Sequence, residues 1–200
     1  REMATKEAAR PDGIDVVSIV TPNHVHIPAA MAFVEAGIHV ICDKPVADTL
    51  ENARAIAQAA GRCGRLIGIT HTYTGYPMVK QARALVAGGQ VGAVRRVTVT
   101  YTQDWLSRAG DIAGNKQAEW RTDPKRSGEG GAFGDIGTHA ANLVEYITGE
   151  RITQLCAELN ALPGRLLDDD GAALFRLQGG GKGTLTASQI CVGDMNDLAI

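Results

Sequence analysis

VICDKPVADT, residues 40–49, runs an apolar stretch straight into an acid, a lysine and a proline. A strand ending at an ordinary surface turn more often closes with Gly, Asn or Ser. Lys44 instead sits between Asp43 and Pro45 at the carboxyl end of what reads as a buried strand. In an open α/β sheet that end is where ligands bind. Two readings of Lys44 stand side by side: a lysine held for chemistry, or one half of a surface ion pair worth about 0–1 kcal/mol.

The flanking segments decide the fold. N-terminal to this stretch, IDVVSIVTPN is a β-branched run from Ile14 to Val20 closed by Thr21-Pro22-Asn23, which predicts a parallel-type strand and its loop. IPAAMAFVEAG then places Ala30, Phe33 and Val34 on one helical face, with Gly37 as the stop. C-terminal to the stretch, TLENARAIAQAAGRCG predicts a second helix with Thr49 as N-cap, Asn52 three residues on and Gly61 as the stop. RLIGITHTY is a third strand. Alternating strands and helices at this spacing predict βαβ units on a parallel sheet, with the strand ends at Asn23, Lys44 and His71 on one edge.

Beyond residue 74 the texture changes. A helix over YPMVKQARALVAGG leads to VRRVTVTYTQDW, where Val97, Val99 and Tyr101 alternate with threonines, an antiparallel-style pattern. A polar loop from about Ser107 to Gly131 holds EWRTDPKRSGEGG. A helix over GDIGTHAANLVEYITG follows, then strands and turns in which GGGKG joins a hairpin and DMNDLAI reads as a strand caught in mid-course. The predicted fold is α/β followed by α+β: residues 1–74 on a parallel sheet, and residues 75–200 on a mostly antiparallel open sheet.

Composition bounds the function. The 200 residues carry 20 basic and 22 acidic side chains, a net charge of −2, so no global field recruits nucleic acid or an anionic membrane. No apolar stretch approaches the ~18 residues that span a bilayer. The longest like-charge run, Asp168-Asp169-Asp170, reads as a solvated turn. Cys42, Cys63, Cys156 and Cys191 lack any metal or redox spacing and read as free, mostly buried thiols of a reducing, cytoplasmic compartment.

A second group able to do chemistry lies in GDIGTHAANL. Asp135 and His139 stand at i and i+4 on one helical face, where Asn142 and Tyr146 continue a polar stripe. Ile136, Ala140, Leu143 and Ile147 form the apolar stripe beside it. A histidine held by a carboxylate is a good general base near neutral pH. The plainer alternative makes Asp135 a helix cap and His139 a surface histidine, but leaves Gly137 between them unexplained. His24 and His26 have the spacing of a metal pair, yet no third and fourth ligand supports one. GEGGAFGDIG and GGGKGT fail as phosphate loops, the first on Phe133 and the second on Gly183, so both read as turns and no dinucleotide fingerprint is present.

Taken in order, T-P-N-x-x-H, acid-Lys-Pro, W-R-x-D-P and G-D-x-G-x-H resemble the glucose–fructose oxidoreductase/inositol dehydrogenase (Gfo/Idh/MocA) family across essentially the whole chain. The resemblance implies a Rossmann domain, of which residues 1–74 would be the second half, followed by a substrate and oligomerisation domain incomplete at its C-terminus. It implies an oxidoreductase that moves hydride between NAD or NADP and a secondary alcohol of a sugar or cyclitol; the alternative is a non-catalytic or inactive fragment of the same fold. Lys44, Asp135 and His139 match the family's catalytic positions, and Thr21, Pro22, Asn23, Asp43, Lys44, Trp120 and Arg121 its cofactor-side positions, with no metal. Asp43 stands where glutamate is usual, and the family's first strand, glycine loop and helix have no counterpart, so the chain is expected to be a fragment. A homo-dimer or homo-tetramer through the open sheet is implied as well.

Overall fold

The computed structural model describes residues 1–108 and 113–200 and divides the chain into two compact units. The first comprises Arg1–Thr70 with Asp123–Glu129, the second His71–Thr122 with Gly130–Ile200.

In the first unit, β1 (Val16–Ile19), β2 (His39–Asp43) and β3 (Ile67–Thr70) form a parallel sheet in sequence order. Ile19 pairs with Cys42 and Asp43 with Thr70, so the three carboxyl ends are level. Val40 and Cys42 point into the core, while Ile41 remains exposed. Helices α2 (Asn23–Glu35) and α3 (Leu50–Cys63) pack on one face, with Ala30, Phe33, Val34, Ile56 and Ala59 joining Ile19, Val40 and Cys42 in a single cluster.

Three details differ from the sequence reading. The chain opens with α1 (Glu2–Ala8), tied by an i,i+4 Lys6–Glu2 ion pair and anchored by buried Ala4. Helix α2 begins at Asn23 rather than Ile27, so the Asn23–His26 segment is its first turn and Pro28 lies inside the helix. Helix α3 has the expected Thr49 cap, whose hydroxyl accepts from the Asn52 N–H, but runs past Gly61 to Gly64. Of these two glycines, Gly64 is the one in the left-handed conformation, φ 61°, that ends a helix cheaply when no side chain is present.

In the second unit, a 3₁₀ turn (Thr72–Gly75) and α4 (Pro77–Ala87) precede β4 (Arg96–Thr102). Strands β5 (Ile152–Asn160), β6 (Asp170–Leu177), β7 (Lys182–Ser188) and β8 (Met195–Ala199) complete a sheet of order β5-β6-β7-β4-β8. The β6–β7 hairpin is as expected, but β4 runs parallel to β7 and antiparallel only to β8. Strand alternation reports which face is buried, not the direction of the neighbour, so this could not be read from the pattern. One face carries Val97, Val99, Ala173, Phe175, Leu177, Leu185 and Ala187 against the helix. Val97 and Val99 are fully buried, each worth about 1.5–3 kcal/mol relative to exposure.

The covering helix is a π-helical turn, Phe133–Gly137, continuing into α7 (Thr138–Thr148) and ending at Gly149. Ile136, Ala140, Leu143 and Ile147 are all buried, as the stripe predicts. A Cβ on Gly137 would lie 3.3 Å from the Phe133 ring and 3.5 Å from the Ala187 Cβ, which explains a glycine there by close packing.

Residues 107–131, read as a polar loop, contain two short helices: α5 (Lys116–Arg121), capped by Asn115, and α6 (Pro124–Ser127), capped by Asp123. Residues 109–112 of that segment lie outside the described residues. Among the described residues, no helix is long and apolar enough to cross a membrane. All four cysteines are free, but only Cys42 is buried; Cys63, Cys156 and Cys191 are exposed, correcting the expectation of mostly buried thiols. Burial first, then the neighbouring Asp43 carboxylate, pushes the Cys42 thiol up to about 11, so it stays neutral.

Candidate active site

The level strand ends of the first unit gather Thr21, Pro22, Asn23, Asp43 and Lys44. Lys44 and Asp43 are half-buried, and the Asp43 carboxylate accepts from the Thr70 hydroxyl at 2.5 Å. The Lys44–Pro45 peptide bond is cis. Thr21 is exposed, whereas Asn23 is buried and its amide donates to the Ser127 carbonyl at 2.8 Å. Asn23 therefore fastens α2 to α6, which brings the Asp123-Pro124 part of W-R-x-D-P into this unit.

His26 went unassigned in the sequence except as half of a metal pair. Its ring is fully buried, with Nδ1 2.8 Å from the Pro45 carbonyl and Nε2 2.7 Å from the Thr21 carbonyl. Both nitrogens face backbone oxygens, so the ring ties the turn after β1 to the turn after β2 rather than offering a lone pair to a metal. The motif's final histidine was the signal. Its spacing alone could not distinguish a ligand from a brace.

The second unit holds Trp120, Arg121, Asp135 and His139. The Asp135 carboxylate Oδ2 accepts from Arg121 Nε at 3.2 Å and from Gln189 Nε2 at 2.9 Å. Arg121 also bonds the Gln117 side chain and stacks 4.2 Å over the Trp120 ring, which orients its guanidinium. Both Arg121 and Asp135 side chains are about three-quarters buried, at 25% and 20% exposure, where an ion pair is less screened than at a surface.

His139, one turn on from Asp135, is half-buried in an aromatic cluster. Its ring centroid lies 4.8 Å from Tyr73 and 5.9 Å from His71, the latter edge-on. The Tyr73 and Tyr101 hydroxyls bond each other at 2.5 Å. Burial, then the Tyr73 bond and the charge of Asp135, hold the Tyr101 phenol well above its ordinary range, so it remains neutral. His71, Tyr73, Tyr101 and Gln189 were missed as site residues. They come from three separate elements, and only the fold brings them to His139 and Asp135.

The acidic triplet is not a solvated turn. Asp169 is 3% exposed and Asp168 half-buried, and both carboxylates are hydrogen-bonded to backbone N–H groups. A charge run reads as surface unless unpaired N–H groups wait for it, and for Asp168 those come from Gly131 and Phe133, far back along the chain.

Comparison with known proteins agrees with this architecture. The family model described as "Oxidoreductase family, NAD-binding Rossmann fold" matches residues 2–71, and that of the "GFO/IDH/MocA C-terminal domain" matches residues 79–200. The chain belongs to the GFO/IDH/MocA oxidoreductase family. It is 33% identical to an uncharacterized oxidoreductase, YfiI, of Bacillus subtilis over 97% of this chain and 50% of that protein. It is 34% identical to levoglucosan dehydrogenase of Pseudarthrobacter phenanthrenivorans over 85% of this chain and 42% of that one. An inositol dehydrogenase homolog from Azotobacter vinelandii, solved with NAD+, superposes with a TM-score of 0.90 at 34% identity, covering 98% of this chain and 51% of the other. The chain thus spans about half the length of the relatives it matches.

Proposed function

We propose that this protein is an NAD(P)-dependent dehydrogenase that oxidises a secondary alcohol of a sugar or cyclitol. The observation that carries the proposal is the Asp135 carboxylate, fixed by Arg121 and Gln189 one helical turn before His139. A surface cap has no need of two side-chain donors from distant segments. Relatives named for levoglucosan, inositol and D-xylose support the substrate class, and both NAD+ and NADP+ occur in their names.

A dinucleotide fits the strand edge of the first unit, where a carboxylate, an ammonium and hydroxyls stand half-buried or exposed at the carboxyl ends of parallel strands. Thr21, Pro22, Asn23, Asp43 and Lys44 would hold it there, with Asn23 acting through the α2–α6 fastening. In the second unit, Trp120 and Arg121 take the corresponding cofactor-side role. When bound, the nicotinamide supplies the hydride acceptor. His139 takes the proton of the substrate hydroxyl as general base, with Asp135 one turn before it on the same helix. The Lys44 ammonium stabilises the negative charge growing on the substrate oxygen.

The test is direct. Mixed with NAD+ or NADP+ and a panel of sugars and cyclitols, the protein should raise absorbance at 340 nm with at least one pair. Cofactor binding without any turnover across the panel would overturn the dehydrogenase reading.

For the partner, we infer a second copy seated on the solvent face of the open sheet. There Arg176, Lys182 and Arg96 stand side by side on β6, β7 and β4, all exposed. Adjacent like charges are unfavourable unless something opposes them. Four residues along the strands on the same face, Glu158 of β5 and Asp197 of β8 are exposed carboxylates. A two-fold axis lying along the rows would set the cation row of each copy over the row of the other that holds the carboxylates, with Glu158 and Asp197 one strand, about 4.8 Å, to the side of Arg176 and Arg96, a self-complementary interface. Arg176→Glu should shift the protein toward monomer in analytical ultracentrifugation; an unchanged distribution would sink this arrangement.

A further inference from the structure

We infer that Asp168 is a positioning residue for the Asp135–His139 helix. The inference rests on the proposed dehydrogenase reading of that helix and adds a residue that lies outside its motif.

The geometry is specific. Asp168 Oδ1 accepts from the Gly131 N–H at 2.6 Å and Oδ2 from the Phe133 N–H at 2.8 Å. Its main-chain oxygen accepts from the intervening Ala132 N–H at 2.7 Å. One residue therefore satisfies three consecutive donors at the start of the π-helical turn, where backbone N–H groups have no partner within the helix. A carboxylate is the strongest acceptor available, and its charge is favoured at that end of a helix. The approach is close enough that a Cβ on Gly131 would overlap the Asp168 carbonyl, which explains why a glycine stands there.

The grip passes to Asp135 by two routes. Gly131, held by Asp168, accepts from the Asp135 N–H through its own carbonyl at 2.9 Å. Next to Asp168, the Asp169 carbonyl accepts from the Gln189 N–H at 2.8 Å, and the Gln189 side chain donates to Asp135 Oδ2. Asp169 is itself anchored: its N–H donates to the Asn160 carbonyl, its Oδ2 accepts from the Leu162 N–H, and Arg165 lies 3.9 Å away. The segment before β6 thus fixes both the backbone and the carboxylate of Asp135. His139, one turn further along the same helix, inherits that position.

Without the Asp168 carboxylate the first turn loses two of its three anchors while the apolar stripe beneath it stays packed. The result is a shifted or fluctuating Asp135 and His139 on an otherwise folded unit. A displacement of about 1 Å at reacting groups can cost ~10²-fold in rate.

The experiment compares wild type, Asp168→Asn and Asp168→Ala, each loaded with cofactor. Two readouts are taken: kcat and KM for the alcohol that wild type turns over, and amide hydrogen exchange over residues 131–139. Asp168→Ala should lose kcat by roughly 10- to 10²-fold with the KM for the alcohol changed less than about 3-fold. Exchange should rise in 131–139 but not in β6 or β7. Asp168→Asn keeps one acceptor oxygen, so it should fall between the two and provides the comparison if the alanine variant does not fold. Folded variants with unchanged kcat and unchanged exchange would overturn the inference, as would a kcat loss that only tracks the folded fraction. If wild type reduces no cofactor with any alcohol, the dehydrogenase reading fails by itself, and exchange over 131–139 still decides whether Asp168 holds the helix.

Discussion

Replacing His139 by alanine should lower kcat by at least ~10²-fold while leaving the protein folded. The fold tolerates the change because His139 is half-buried and the apolar stripe of α7 runs through Ile136, Ala140, Leu143 and Ile147. What is lost is the group that takes the hydroxyl proton. Tyr73 and Tyr101 do not replace it. Their hydroxyls bond each other, and Tyr101 is held strongly to its protonated form. The pH profile adds a sharper mark: in wild type kcat should fall at acid pH as the base is protonated, and that limb should vanish in the variant. A variant retaining near-normal kcat would remove His139 from the chemistry and return it to the role of a packed aromatic neighbour.

Lys44→Ala should have a comparable effect, at least ~10²-fold on kcat, through a different term. The lysine supplies charge where charge develops, so its loss should weaken the transition state more than the bound substrate, with KM moving less than kcat. Lys44→Arg keeps the charge but not the compact ammonium, and should recover only part of the rate. Alanine should also leave the strand-end architecture standing, because His26 ties Thr21 to Pro45 and Asn23 bonds Ser127 without help from residue 44. Equal losses in folded stability and in kcat would instead mark Lys44 as half of a structural ion pair.

Much of the fold was legible because local pattern and tertiary role coincide. The β-branched runs of β1 and β2, the Thr49 cap and the stripe of α7 each encode their element within a few residues. Elements were misjudged where the deciding partner lies far along the chain. The direction of the β4 neighbour depends on β7, more than 80 residues later. Asp168 looks like a solvated charge until Gly131 and Phe133, 37 and 35 residues earlier, present their N–H groups. The same distinction runs through the site. Among the candidate residues, Lys44, Asp135 and His139 were singled out by spacing and by their motifs, whereas Gln189 has no local signal at all. It enters only because β7 ends beside the π-helical turn, where its amide meets Asp135. His26 was visible but ambiguous, since a motif names a residue without saying whether it reacts or braces.

In the proposed reaction hydride leaves a carbinol carbon of a sugar or cyclitol for the nicotinamide. The most direct test supplies an alcohol substrate deuterated at that carbon, with unlabelled NAD+ or NADP+, and locates the deuterium in the product cofactor by NMR. Deuterium is expected at nicotinamide C4, on one face, with no exchange into solvent. Reduced cofactor without deuterium, or label released to water, would contradict it.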